Sequence, residues 1–296
     1  MDAVIIEAAL NGATTKEQNR HVPRQPGEIA SDALACLGAG AAVVHNHIDL
    51  TGVSGEVAAD RYLEAWRPVL AARPDALVYP TINFGDPGRP HDYHHIPPLA
   101  ASGLLRIGLS DPGSVTVGEL NDGGLPAGSR VYANSYDDIA GHFQLCRDHR
   151  LGVSLAIMEP GFLRTVLAWW RAGRLPTGAM VKLYFCDDRY RRSSFGLPPT
   201  PAALAVYREM LEGCPLPWSV SVFGGDVVGC GLAELAVELG GHLHVGLEPY
   251  AGEGTPTNLE LVEEAVAVCQ KVGRPVASCD EAALVMDLPF RPEGSH

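Results

Sequence analysis

Ala41-Ala42-Val43-Val44-His45-Asn46-His47 is a short apolar run that ends on two histidines one residue apart. Its length and valine content suit a strand covered on both faces, as strands of a parallel sheet are. Before it, Ile29, Ala33 and Cys36 recur at helical spacing; after it, Ala58, Tyr62, Ala65, Trp66 and Val69 do the same. A buried strand between two amphipathic helices is the unit of an alternating α/β fold. The unit recurs along the chain, with further runs at Ala3 to Ala9, Leu77 to Ile82, Leu105 to Leu109, Gly152 to Met158, Met180 to Phe185, Pro217 to Phe223 and Leu243 to Leu247. Helical patterns lie between them, among them Leu204, Tyr207, Met210 and Leu211, and near the end Leu259, Leu261, Val262, Ala265, Val268 and Cys269. Eight such runs predict an α/β chain folded as a (β/α)8 TIM barrel. A doubly wound sheet is the alternative, but no G-x-G-x-x-G follows the first run. Residues 110–135 are rich in Gly, Pro, Asn and Asp and are expected to form a long loop on the active-site face. With no linker or fixed repeat, one barrel domain is expected over 1–290, and 291–296 form a tail whose Gly294-Ser295-His296 resembles a tag remnant.

Composition narrows the function. The 296 residues are 46% hydrophobic and 19% charged, which excludes a disordered chain. Asp and Glu outnumber Lys and Arg by 35 to 22, for a net charge of -13. Such a surface repels phosphate backbones and anionic lipid, so neither nucleic acid nor a membrane is an expected partner. Seven cysteines without a C-x-x-C pair are expected to be reduced thiols in an intracellular protein. The N-terminus lacks a signal peptide's basic region, and no apolar run reaches the ~18 residues of a membrane span. A cytoplasmic location is expected.

The chemistry centres on His45 and His47. Residues two apart on a strand face the same way, ~7 Å apart at Cα, so both imidazoles can converge on one ion at the ~2.0–2.1 Å of Zn–N bonds. A pair of core histidines bonded to carbonyls is the bland alternative. A third ligand is expected at Glu248, in His244-Val245-Gly246-Leu247-Glu248, because the last strand of a closed barrel returns beside the first. Glu159, directly after a strand, is a candidate general base or substrate clamp, or only a helix opener. Thr81, Asn83 and Ser110 end strands and are candidates to bond a substrate oxygen, although such residues often serve turns. Gly224-Gly225 is a weak candidate for an anion-binding turn. His91, His94 and His95 are expected in a solvated or substrate-covering loop.

Several segments carry a family resemblance. Ala8-Ala9-Leu10-Asn11-Gly12-Ala13, Gly38-Ala39-Gly40 leading into the His-x-His run, Tyr79-Pro80-Thr81, Asp111-Pro112-Gly113-Ser114, Ala133-Asn134-Ser135 and Gly240-Gly241-His242-Leu243-His244-Val245-Gly246-Leu247-Glu248 resemble the beta-keto acid cleavage enzymes. Asn258-Leu259-Glu260-Leu261-Val262 and Gly273-Arg274-Pro275-Val276-Ala277-Ser278 resemble them too, in the same order. The resemblance implies a zinc-dependent (β/α)8 barrel, commonly a homo-oligomer such as a dimer or tetramer. It implies a reaction in which a beta-keto acid and acetyl-CoA, the co-substrate, give acetoacetate and a new CoA thioester. The family's zinc ligands fall on His45, His47 and Glu248, its substrate-contacting glutamate on Glu159, and its hydroxyl positions on Thr81 and Ser110. Several family positions depart. An Arg of the last strand is His244 here and the Asp after the glutamate is Pro249; the family's His-x-His-x-Arg-Asp is also replaced, with Ile48-Asp49-Leu50 after His47. His244 is the candidate switchable cation or base in that Arg's place.

The expected activity is therefore a Zn²⁺-dependent acyl transfer with C–C cleavage, the metal acting as a Lewis acid toward a keto acid. Fe(II), Mn or Co suit the same ligand set. The alternatives are a CoA-independent metal-dependent aldolase, decarboxylase or hydrolase, and a non-catalytic ligand-binding member of the fold.

Overall fold

The computed structural model describes residues 3–48, 53, 55–82, 93–187 and 195–289, the side chains of 119, 129 and 130 excepted. Eight short strands form its centre: β1 (Ile6–Ala9), β2 (Val43–Asn46), β3 (Leu77–Pro80), β4 (Ile107–Ser110), β7 (Gly152–Ile157), β8 (Ala179–Cys186), β9 (Trp218–Phe223) and β10 (His242–Val245). They pair in parallel in the order β3-β2-β1-β10-β9-β8-β7-β4. The two ends of that order, β3 and β4, lie side by side, so the sheet is a nearly closed barrel. Each expected run overlaps one of these strands. Their Val, Ile and Leu side chains are buried throughout, because neighbouring helices cover one face and the barrel interior the other.

Helices fill the crossovers. Around the early strands stand α1 (Pro26–Ala39), α2 (Gly55–Ala72) and α3 (Ile96–Ala101); α4 (Tyr136–Asp148), α5 (Pro160–Arg171) and α6 (Pro201–Met210) cover the middle ones. The last are α7 (Leu232–Glu238), α8 (Asn258–Val272) and α9 (Cys279–Val285). The apolar stripes match the sequence periodicity: Ile29, Ala33 and Cys36 of α1 and Tyr62, Ala65, Trp66 and Val69 of α2 are all buried. Reciprocal capping pairs open α4 (Ser135 with Asp138), α8 (Thr257 with Glu260) and α9 (Ser278 with Glu281), satisfying amides that a helix start leaves without partners.

One expectation needs correction. Residues 110–135 are not a plain loop: β5 (Val115–Leu120) and β6 (Pro126–Tyr132) form a two-stranded antiparallel hairpin. Its turn side is exposed, so it lacks the apolar run that marks a buried strand and resembles loop composition. Asn134 ties its base to the barrel, donating from Nδ2 to the Asp111 carbonyl at 3.0 Å, while its backbone N–H donates to Ser114 Oγ at 3.0 Å. Among the described residues no helix is long and apolar enough to cross a membrane.

Candidate metal centre and active site

The C-terminal ends of β1, β2 and β10 are stitched into one rim. Asn11, just past β1, accepts the His47 N–H at its Oδ1 (2.8 Å) and donates Nδ2 to the His47 carbonyl (3.1 Å). Asn258 accepts the Leu247 N–H (2.8 Å) and donates to the Leu10 carbonyl (2.8 Å). Asn46 turns outward and accepts Trp66 Nε1–H at 2.8 Å, so its neighbours His45 and His47 face the barrel mouth. Gly12 has φ +49, and a Cβ there would lie 2.4 Å from Glu248 Cγ. Glycine is required to make room for that carboxylate.

His45, His47 and Glu248 converge. His45 Nε2 is 3.3 Å from one carboxylate oxygen and His47 Nε2 is 3.3 Å from the other. That is longer than the ~2.7–2.9 Å of a charged hydrogen bond. It matches the edge of a tetrahedron, ~3.3 Å, drawn by metal bonds of ~2.0–2.1 Å. His47 Nε2 and Glu248 Oε2 are buried without a hydrogen-bond partner, a state that isolated polar atoms avoid. Burial pushes the His45 imidazole down to about 3, leaving it neutral with a lone pair to give. Burial alone would raise Glu248, but the His47 and His45 imidazoles hold its carboxyl well below the usual range. Two imidazoles and a carboxylate are the donor set of a three-ligand metal site with one position open, and these residues fit a divalent cation.

Beneath the rim lies a second polar cluster that the sequence reading did not identify. Glu7 (β1), Tyr79 (β3), Ser154 (β7), Lys182 (β8) and His244 (β10) point into the barrel and are all buried. Tyr79 donates a short hydrogen bond to Glu7 Oε1. Lys182 Nζ donates to Tyr79 Oη at 2.5 Å and to Glu7 Oε1 at 3.3 Å, and Ser154 Oγ donates to Tyr79 Oη at 3.3 Å. The Tyr79 ring stacks on His45 with centroids 4.5 Å apart, linking floor to rim. The signal was present: Glu7 and Lys182 each interrupt an otherwise apolar buried run, and a charge there needs a partner.

Other expected residues are placed as follows. Thr81 lines the cavity above these clusters, and Asn83 lies outside the described residues, as do Asp49, Leu50 and His91. Ser110 is buried with Oγ 3.3 Å from His142 Nδ1 of α4, on the helix side of β4; its neighbours Leu109 and Asp111 line the cavity instead. Asp111 receives a short hydrogen bond from Tyr132 of the hairpin, and burial raises its carboxyl above the usual range. Glu159 precedes α5 and accepts the Gly196 N–H at 2.7 Å; it is not among the described residues lining the cavity. His244 lies 3.4 Å from Glu7 Oε1, stacked on Tyr184, and burial pushes it down to about 4. The Gly224 N–H is used by the Pro249 carbonyl at 2.9 Å, so it offers no amide to an anion. His94 is exposed as expected, but His95 is buried with Nε2 2.8 Å from the Thr81 carbonyl and serves the fold.

The cavity over these residues measures about 1500 Å³. The β5–β6 hairpin forms one wall, through Val117, Leu120 and Tyr132. Met158, Tyr184, Phe195 and Phe223 form an apolar wall on the β7–β9 side of the mouth, next to β10. It has the size and the mixed lining of a site for a sizeable organic ligand.

Known proteins resemble this chain over nearly its whole length. Residues 3–288 match the family model described as beta-keto acid cleavage enzyme. The 3-keto-5-aminohexanoate cleavage enzyme of Acetoanaerobium sticklandii is 25% identical over 293 residues, covering 97% of this chain and 99% of that protein. The 3-dehydrocarnitine:acetyl-CoA trimethylamine transferase of Rhizobium meliloti is 26% identical over 309 residues, covering 97% of each. Among solved structures, apo ObcA superposes with a TM-score of 0.66 at 15% identity, covering 91% of this chain and 66% of that one, a likeness of fold.

Proposed function

Because this chain belongs to the beta-keto acid cleavage enzyme family, a family of enzymes, we propose that it is a zinc-dependent enzyme condensing a beta-keto acid with acetyl-CoA to give acetoacetate and a new CoA thioester. The observation that carries the reading is the convergence of His45, His47 and Glu248, whose ligand atoms lie within 4.8 Å of one another, on the mouth of a cavity of about 1500 Å³. Acetyl-CoA enters the proposal from the relatives, one of which carries it in its name.

A divalent cation bound there supplies a Lewis acid for the keto acid's oxygens. The protein's own residues supply the rest. His45, His47 and Glu248 hold the ion. Thr81, on the cavity wall, orients a substrate oxygen. Asp111, a buried carboxyl on the same wall, is placed to hold or move a proton at its Oδ atoms. His244, neutral above pH of about 4, is a proton acceptor on the floor. Glu159 stays a candidate only if the Gly196 N–H releases it. Tyr184, Phe195 and Phe223 exclude water on the β8–β9 side.

The experiment is incubation of zinc-loaded protein with a panel of beta-keto acids, with and without acetyl-CoA. The reading predicts acetoacetate and a new thioester from at least one acid, only with acetyl-CoA and not after chelation. Absence of both products across the panel overturns it. One observation favours a second reading, a CoA-independent aldolase, decarboxylase or hydrolase. His244 and Pro249 stand where the resembling family carries Arg and Asp, and here His244 faces Glu7 while the Pro249 carbonyl is bonded to Gly224. Chelator-sensitive turnover of a keto acid without acetyl-CoA is its signature.

A further inference from the structure

A lysine and a glutamate buried at the bottom of a cavity need an explanation. Such a pair adds little to stability over apolar residues of the same shape, because desolvation offsets most of the attraction. Lys182 is 3% exposed, yet it lines the cavity and is the one lysine or arginine among the described lining residues. Its neighbours there include the carboxyl groups of Asp111, Asp122 and Glu248, with Glu7 beneath. An anionic ligand entering this space meets a surplus of negative charge, and a cation must receive it.

We infer that the Lys182 ammonium is the carboxylate-binding group of the cavity floor, with Glu7 and Tyr79 as positioning residues that hold it aimed upward. The inference rests on the keto-acid reading for the identity of the anion. An ammonium has three N–H donors. Two are taken, by Tyr79 Oη at 2.5 Å and Glu7 Oε1 at 3.3 Å; the third has no partner among the described residues. Nζ sits at the hydroxyl edge of Tyr79, with the Tyr184 ring centroid 5.5 Å away, and the side chain lines the cavity, which is the direction left for the third donor. The Tyr79 ring also stacks on His45, so a single aromatic ring separates this ammonium from the proposed metal ligands. A keto acid carries its carboxylate two bonds from its carbonyl carbon. With a metal held at the rim, the cavity would offer one cation on the floor for the carboxylate and another above it for the carbonyl oxygen. Glu7 keeps its charge despite burial, which would raise its carboxyl, because Lys182 and His244 hold it below the usual range.

The test compares acetoacetate with methyl acetoacetate, which has the same keto group and no carboxylate, by titration calorimetry on zinc-loaded protein. The wild type is expected to bind acetoacetate about ten- to hundred-fold more tightly, the worth of a hydrogen bond to a charged group. Lys182→Met alone strands Glu7 as a buried charge without a partner, so the variant used is Glu7→Gln with Lys182→Met, which keeps the floor neutral. With zinc content at the wild-type level, it is expected to lose most of that discrimination, and Lys182→Arg to keep part of it. Full discrimination in the zinc-replete double variant overturns the inference. So does a keto-acid adduct on Lys182 after borohydride reduction, which would make the amine a nucleophile. Turnover separates this from the parent reading: carboxylate binding through Lys182 without cleavage of any keto acid contradicts the cleavage activity alone. Cleavage with an unchanged KM in the double variant contradicts the role of Lys182 alone.

Discussion

The rim cluster and the floor cluster lie one aromatic ring apart, yet they are built on opposite principles. At the rim, His45, His47 and Glu248 bring lone pairs together, and buried atoms among them lack a hydrogen-bond partner. On the floor, Glu7, Tyr79, Lys182 and Ser154 answer one another donor to acceptor, and the charges of Glu7 and Lys182 cancel. The rim is incomplete without a guest; on the floor those four side chains form a paired frame with one Lys182 donor to spare, and His244 beside them keeps both ring nitrogens without a hydrogen-bond partner. Damage at the rim should therefore cost binding and activity, and damage on the floor should cost folding first.

The largest separation is expected from His45→Ala. Bound metal should fall from near one equivalent to near none by elemental analysis. Activity should fall about a thousand-fold or more, the kinetic equivalent of the several kcal/mol a Lewis acid supplies. The fold should persist by circular dichroism. Next comes Glu7→Gln, which leaves the Lys182 ammonium buried without its counter-charge. It should cost about 3–5 kcal/mol in urea unfolding while zinc content per folded molecule holds. Pairing it with Lys182→Met should recover most of that loss, and a single variant as stable as the wild type would break the contrast.

Gly12→Ala probes the rim more gently. The added methyl meets Glu248 Cγ and the backbone has φ +49, so the carboxylate must move while the barrel stays formed. Zinc affinity should drop about ten- to hundred-fold in a competition titration, the usual cost of disturbing a ligand's support. The smallest effect is a pH slope. Burial holds His45 and His244 neutral, down to about 3 and about 4 from 6.5, so the unfolded chain takes up their protons first. Stability due to them is full above pH 6.5 and is lost as pH falls toward 4. In metal-free protein each adds up to about 1.4 kcal/mol per pH unit, and His244→Gln should remove about that share from the slope. An unchanged slope would mean that His244 is not held neutral by the fold.

The same contrast explains what the sequence disclosed. Strands buried on both faces appear as contiguous apolar runs, so the barrel and its order were legible, and so was a His-x-His ending one of them. Glu248 followed from closure, which brings β10 beside β1 and β1 beside β2. The hairpin was not legible, because Val115–Tyr132 is too exposed to carry an apolar run. Which residues after β4 face the cavity was not legible: a run buried on both sides does not reveal which residues face inward, and here Ser110 meets His142 while Asp111 lines the cavity. The floor was the least legible part. Glu7, Tyr79, Ser154 and Lys182 come from separate strands, and only the stagger of the closed sheet brings them to one level.

The most direct measurement is anomalous diffraction at the zinc edge from crystals grown with the metal. A single strong peak about 2.0–2.1 Å from the facing ring nitrogens of His45 and His47 and from a Glu248 oxygen is the expected result. Imidazoles turned away from a Glu248 that binds nothing, with zinc absent or held elsewhere, would contradict the account at its base.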